Sequence, residues 1–396
     1  MNNSQESNQI YICPICGNTD IHSTGYLNGK PYCRRCISFK GEEVEHKTSY
    51  PKKAPIHLSY ELSSEQKELS DKLVENYKKG IDSLVFAVCG SGKTEITMKV
   101  ISKAISEGKK VGFTIPRRDV VIELQQRLKE VFYHNSVVPV YGGMNERLYG
   151  DIVCLTTHQL YRYEDYFDLL IMDEVDAFPY KGNETLESFF KRAIKDSGCY
   201  IMLSATPSAS FISKLKNQNV LILELNSRFH NHLLPVPKII IKSKPTIFLA
   251  LVSKIEHYMK LNKQVFVFTP TIEICEKTYS FLKLLISKGA CLHSKIMERG
   301  RVIEDFKSGL IRYLITTSVL ERGVTVKDVQ VIVFKADHSI FDRYTLIQIS
   351  GRVGRKPDAP DGDVLFIGLR KTKEMTKAIE RINEVNEKAK NEIVRN

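Results

Sequence analysis

Lys93 and Thr94 close the stretch Ala87-Val-Cys-Gly-Ser-Gly-Lys-Thr-Glu95, a glycine loop suited to cradling phosphates. Gly90 and Gly92 let the backbone curl so that successive N–H groups point inward at anionic oxygens. The positive end of the following helix adds to that attraction. In this geometry Lys93 reaches the β- and γ-phosphates of a nucleotide and the Thr94 hydroxyl ligates Mg²⁺. Ser91 and Glu95 complete the candidate nucleotide-binding set. Ala87 stands where the first glycine of the eight-residue pattern is usual, but that position makes a turn rather than a phosphate contact. A plain surface turn would not need the apolar run Ser83–Ala87 before it and the helical pattern of residues 96–104 after it.

Asp173 and Glu174 follow Lys93 by 80 positions and end another apolar run. An Asp at a strand end can hold Mg²⁺, directly or through water, and the next Glu can polarise the water that attacks the γ-phosphate. A third constellation, Gln348-Ile-Ser-Gly-Arg-Val-Gly-Arg355, places Arg352 and Arg355 three apart. On a helix start, as expected here, that spacing puts both on one face. An arginine delivered to ATP from a second lobe stabilises transition-state charge by about 10³–10⁵ in rate. Near the start of the chain, Cys13, Cys16, Cys33 and Cys36 read C-x₂-C-x₁₆-C-x₂-C, the spacing of a four-thiolate zinc ribbon. A full thiolate set leaves no position for water, so such a zinc is structural. Arg34 and Arg35 favour a contact with DNA or protein, and the balanced charge of the module argues against one.

The elements that must position these groups repeat as short apolar runs separated by helical patterns. Residues 110–115, 151–155, 167–172 and 199–203 are such runs, and each ends in a polar loop. This is the pattern of a doubly covered parallel sheet, whose ligands gather at the carboxyl ends of its strands. A helix begins near Ser63, where Gln66 can pair with both edge groups of adenine. Residues 41–60, charged and punctuated by Pro51 and Pro55, read as a linker, and residues 226–238 read as a hinge. Strand–helix alternation then restarts at residues 264–271, 312–318 and 329–334. The last stretch, with Met375, Ala378, Ile379, Ile382 and Val385, reads as an amphipathic packing helix.

The length of 396 residues suits two or three domains. The expected division is a zinc module at 1–50, a first RecA-like lobe at 51–228 and a second at 229–396. The net charge of +12 sits in residues 51–396, because residues 1–50 carry five basic and five acidic side chains. A basic body suits a polyanion such as nucleic acid. The polar first residues lack the apolar core of a secretion signal. No run approaches the roughly 18 apolar residues that span a bilayer. The five cysteines outside the tetrad are scattered through apolar stretches, which fits a reducing cytoplasm.

In this order the stretches resemble the motifs of superfamily 2 helicases. The likeness runs through Gln66 and residues 90–94, 116–119, 173–176, 204–206, 269–271, 316–325 and 348–355. The four-cysteine module before the motor, Asp-Glu-Val-Asp-Ala-Phe-Pro179, Arg228-Phe-His230 and Leu320-Glu-Arg-Gly-Val-Thr325 are similar to the ComFA family of competence proteins. PriA helicases carry their zinc cysteines within the second lobe, unlike this chain. The resemblance implies a cytoplasmic ATPase stimulated by single-stranded DNA. It would work at the inner face of the cell membrane and draw transforming DNA through the ComEC channel, with ComFC and DprA as partners. It further implies that Ser204 and Thr206 couple the ATP site to the DNA track and that Glu321 and Gly323 lie near the nucleotide. Backbone contacts fall to Arg117, Thr156, Thr157, Thr269, His293, Ser294, Thr316 and Thr317. Two alternatives stay open: a PriA-like or RNA-directed helicase, and a non-motor scaffold switched by ATP.

Overall fold

A computed structural model of the chain describes residues 11–395 apart from 40, 89, 177–179, 181, 206–208, 226–231, 318–325 and 356–357. Side chains of 209–210 and 391–395 are also outside the description. The chain divides into two compact units, residues 1–86 with 93–225 and residues 87–92 with 226–396.

The first unit opens with a hairpin, β1 (Thr24–Leu27) and β2 (Lys30–Cys33), paired antiparallel. Helix α1 (Ser64–Lys78) begins in a capping box: Ser63 Oγ accepts from Gln66 N and Gln66 Oε1 accepts from Ser63 N. The α/β layer then runs β3 (Ser83–Ala87), α2 (Met98–Ser106), β4 (Val111–Ile115), α3 (Arg118–Val131), β5 (Val137–Val140) and β6 (Ile152–Thr156). It continues through β7 (Phe167–Met172), α4 (Glu184–Ala193), β8 (Ile194–Ser204), α5 (Ala209–Lys216) and β9 (Leu221–Leu225). The sheet order is β5-β6-β4-β7-β8-β3-β9, and the pairings described within it are parallel. Strands β3, β4, β6 and β7 are buried at every position, as a parallel sheet covered on both faces requires.

Residues 41–60 are a strap laid along this unit. Val44 N donates to Arg162 O at 2.8 Å, Lys52 N to Ile105 O at 3.2 Å and His57 N to Val131 O at 3.1 Å. Lys52 Nζ also pairs with the buried Asp151 carboxylate at 2.7 Å. The tetrad cysteines join the apolar core of this unit together with Val44, Tyr161, Leu186 and Phe189. The cysteine module is therefore packed on the lobe.

The second unit contains β10 (Lys238–Ile241), α6 (Ile247–Lys260), β11 (Gln264–Phe268), α7 (Ile272–Leu285), β12 (Gly289–Leu292) and α8 (Arg299–Lys307). After these come β13 (Tyr313–Thr316), β14 (Val329–Phe334), α9 (Arg343–Ser350), β15 (Val364–Gly368) and α10 (Lys373–Arg395). Its sheet, β10-β15-β14-β11-β13-β12, is parallel throughout. Helix α10 buries Met375, Ala378, Ile382 and Val385 in the core of this unit, the stripe its spacing anticipates.

Candidate active site

Strand β3 feeds the glycine loop, in which Gly90 has φ +83° and Gly92 φ +79°. Only glycine adopts this left-handed backbone readily. Ser91 N donates to Val88 O at 3.2 Å, closing the turn. Thr94 leads into a short 3₁₀ turn, Glu95–Thr97, which continues as α2.

Lys93 Nζ lies 3.9 Å from Asp173 Oδ1, with both side chains largely buried. Asp173 is anchored at the end of β7 by its N–H to Thr114 O of neighbouring β4, at 2.9 Å. Its Oδ1 also accepts from Glu174 N at 2.8 Å. Glu174 has φ +59°, a conformation that costs a residue with a Cβ about 1–3 kcal/mol. Strain of this kind fixes a side-chain direction, here of the carboxylate that follows Asp173 in the chain. Val175 N reaches Leu203 O of β8 at 3.4 Å and ties the acidic turn to the next strand.

Two residues read as nucleotide ligands have other engagements. The Glu95 carboxylate is buried, accepts from Tyr60 Oη and pairs with the Arg127 guanidinium. It joins the strap, the 3₁₀ turn and α3. Gln66 is buried, and its Oε1 accepts from Ser63 N at 2.9 Å, capping α1.

In the second unit Thr269, Thr316, Thr317 and His293 meet at the carboxyl ends of the adjacent strands β11, β13 and β12. Thr269 N and Oγ1 both donate to Thr316 O, at 2.7 and 3.0 Å. Thr316 Oγ1 donates to Thr317 O at 3.1 Å. His293 Nε2 faces Glu276 Oε1 at 3.1 Å. Ser294 is exposed and Arg117 half-buried, whereas Thr156, Thr157, Ser204, Thr269, His293, Thr316 and Thr317 are buried. The Thr157 hydroxyl is fully buried with no hydrogen-bond partner among the described residues. Thr206, Glu321 and Gly323 lie outside the described residues.

One expectation is corrected. Arg352 and Arg355 follow the C-terminus of α9 and do not open a helix. Gly351 caps α9 at φ −66°, and Gly354 at φ +68° turns the chain three residues later. Gln348 lies within α9 and is buried; Arg352 is buried beyond it, and Arg355 Nε donates to Gly351 O at 2.9 Å.

The cysteine tetrad fits a tetrahedral ion. All four sulfurs lie within 4.8 Å of one another, with Cys13–Cys36 at 3.8 Å and Cys16–Cys33 at 3.7 Å. A tetrahedron with Zn–S bonds of about 2.3 Å has sulfur edges of about 3.8 Å. Burial pushes the Cys16 thiol up to about 11 and also raises Cys36, whereas at Cys13 burial is outweighed by backbone N–H groups of Cys16 and Ile15 and the thiol is lowered; a bound dication is what would hold all four as thiolates.

Sequence patterns gave no sign of the contacts made by Phe39, Arg162 and Arg192. Phe39 sits against Tyr161 and Phe189, and Arg162 and Arg192 bond the strap at Glu42 O and the Glu43 carboxylate.

Comparison with known proteins bears on the fold and the family. Residues 59–209 match the family "Type III restriction enzyme, res subunit" and residues 247–357 match "Helicase conserved C-terminal domain". A substituted form of S. cerevisiae Dbp5 bound to RNA and ADP BeF3 has the same fold, with a TM-score of 0.63, 18% identity, and coverage of 82% of this chain and 91% of that one. The two lobes and the phosphate loop thus define a helicase-type ATPase of superfamily 2. The competence protein ComFA of Bacillus subtilis is 36% identical, across 96% of this chain and 86% of its own. Competence protein ComFA of Streptococcus pneumoniae is 33% identical, across 96% and 91%. The chain belongs to the ComFA family of competence proteins.

Proposed function

We propose that this chain is an ATP-driven motor on single-stranded DNA that draws transforming DNA into competent cells. The observation that best supports the motor reading is the 3.9 Å approach of Lys93 Nζ to Asp173 Oδ1. It gathers, beside the glycine loop, the cation that takes a γ-phosphate and the carboxylate that takes magnesium. The uptake assignment rests on kinship with the two competence proteins.

Thr94 and Asp173 hold magnesium, which when bound neutralises charge on the β- and γ-phosphates. Gly90, Ser91 and Gly92 cradle the phosphates, and Glu174 orients the attacking water. Gln66 pairs through its amide with both edge groups of adenine. Gln348, Arg352 and Arg355 act on the same nucleotide as ATP draws the lobes together, and product release lets them part. Ser204 and Thr206 relay the nucleotide state to the DNA track, with Gly323 at the nucleotide side of the second lobe. Arg117, Thr156, Thr157, Thr269, His293, Ser294, Thr316 and Thr317 hold the sugar–phosphate backbone, which grips position without reading sequence. Cys13, Cys16, Cys33 and Cys36 hold a structural zinc. The work is done at the inner face of the cell membrane, with the ComEC channel, ComFC and DprA as partners.

The test is ATP turnover without nucleic acid and with single-stranded DNA, duplex DNA or RNA, each at two salt concentrations. The expected result is strong stimulation by single-stranded DNA alone, weakened by salt, and loss of turnover in Lys93→Ala. Equal or better stimulation by RNA, or full turnover in Lys93→Ala, overturns the reading.

A further inference from the structure

We propose that the segment following the fourth cysteine, led by Phe39, is a brace that holds the turn at residues 156–162 in the geometry that accepts a nucleic-acid phosphate. This rests on the reading of that turn as a backbone grip. The module then serves DNA binding from within the lobe, by positioning.

The turn follows β6 and runs as a 3₁₀ helix, Thr157–Arg162. Local geometry does little to hold it, because 3₁₀ hydrogen bonds are poor and short runs depend on neighbours. Phe39 supplies those neighbours. Its ring lies 4.9 Å from Phe189 at 90°, 5.6 Å from Tyr161, and 6.0 Å from His158 at 25°. Phe189 and Tyr161 are buried, so Phe39, itself half-buried, packs against the core of the lobe while its face meets the His158 ring. Aromatic pairs at such separations contribute about 0.5–1.5 kcal/mol each beyond area burial.

Polar contacts grip the far end of the same turn. Arg162 is buried; its Nε donates to Glu42 O at 3.0 Å, and its own carbonyl accepts from Val44 N at 2.8 Å. Arg192 donates to Tyr161 O at 2.9 Å and pairs with Glu43 at 2.5 Å. Gly41 passes so close that a Cβ there would strike the Tyr161 hydroxyl. Phe39, Gly41, Glu42 and Val44 therefore meet the turn at its second, fifth and sixth residues. At its first residue stands the Thr157 hydroxyl, fully buried and without a partner among the described residues. A buried polar group left in that state in a native fold calls for a ligand or a role. Phe39 is a positioning residue, acting through His158 and Tyr161.

The experiment uses the full-length chain and its variants Phe39→Leu, Phe39→Ala and Thr157→Val. It measures bound zinc, ATP affinity, and affinity for a fluorescent single-stranded oligonucleotide across a salt series. The expected result for both Phe39 variants is normal zinc content, normal ATP affinity and a loss of DNA affinity of about tenfold. That is roughly the worth of one charge-assisted hydrogen bond. The slope of log affinity against log salt stays that of the parent, because no cation has left the interface. A direct phosphate contact by a basic residue of the module would instead cost about 0.7 of slope when lost.

Unchanged DNA affinity in both Phe39 variants overturns the proposal. So does a shallower slope, which places the module on DNA itself, or loss of zinc in both, which makes Phe39 a support of the metal site. If Thr157→Val binds DNA as the parent does, the turn is not a grip and the brace has no such purpose. If Thr157→Val weakens binding and the Phe39 variants do not, the grip stands and the brace alone fails.

Discussion

Replacing Arg127 with alanine isolates what Glu95 does. Glu95 follows the magnesium-ligand candidate Thr94 directly, yet its carboxylate points to Tyr60 and Arg127. Its side chain is 4% exposed and that of Arg127 is 44% exposed. Breaking a fully buried ion pair costs about 3–5 kcal/mol, and an exposed pair contributes about 0–1 kcal/mol. Here the anion is buried, the cation is half in water, and the Tyr60 hydroxyl stays with the carboxylate. The cost of Arg127→Ala should then be about 2 kcal/mol. For a domain of about 150–250 residues each kcal/mol moves the midpoint by roughly 2–4 °C, so its unfolding transition should fall by about 4–8 °C in calorimetry. Glu95→Gln keeps an acceptor for Tyr60 and no longer buries a charge, so it should fall less, and the double variant should show coupling. The KM for ATP separates this from a ligand role. A nucleotide contact at Glu95 would raise KM in Glu95→Gln by about tenfold, or 1.4 kcal/mol, whereas a bracing role leaves KM within about twofold. A parental melting point in Arg127→Ala, or strict additivity in the double variant, would refute the reasoning.

Two further outcomes follow from the first unit. The purified chain should carry one zinc per molecule by elemental analysis, and Cys16→Ser should lose it together with part of the thermal stability. Zinc retained in full after that change would mean the tetrad is not the site. Burial raises the Asp82 carboxyl above its ordinary value despite the Tyr200 N–H that it accepts at 2.9 Å. Its folded pKa exceeds its unfolded one, so the folded state binds the proton more readily and ionisation at neutral pH opposes folding. Asp82→Asn should therefore melt above the parent at pH 7, and the gap should close as pH falls through the folded pKa toward about 3.9. A gap that widens in acid would reverse the assignment.

The parallel sheets were readable because strands buried on both faces leave continuous apolar runs, and the residues that end them, Asp173 and Thr316 among them, stand out by contrast. The phosphate loop was readable because its glycines must take left-handed backbone, a demand written in residue type. The arginine segment was misplaced for a local reason. Arg352 and Arg355 keep helical spacing, but α9 ends at Gly351, ahead of both, and Gly354 turns the chain between them. Burial of the strand-end threonines was hidden as well, since a threonine at the end of an apolar run has the same letter whether or not another segment covers it.

The strap and the brace were illegible for a different reason. Val44, Lys52 and His57 attach residues 41–60 through backbone N–H groups, which every residue but proline possesses and which leave no mark in composition. Prolines and charges read as a linker because they suit any segment that makes neither helix nor strand, whether it floats or lies flat against a lobe. Phe39 meets Tyr161 and Phe189 across a separation of more than a hundred residues, so no periodicity could announce the contact. Local pattern thus reports the chemistry that a single loop performs. What fixes that loop in place is long-range packing, and for the turn at residues 156–162 it comes from a module whose four cysteines had suggested only a metal.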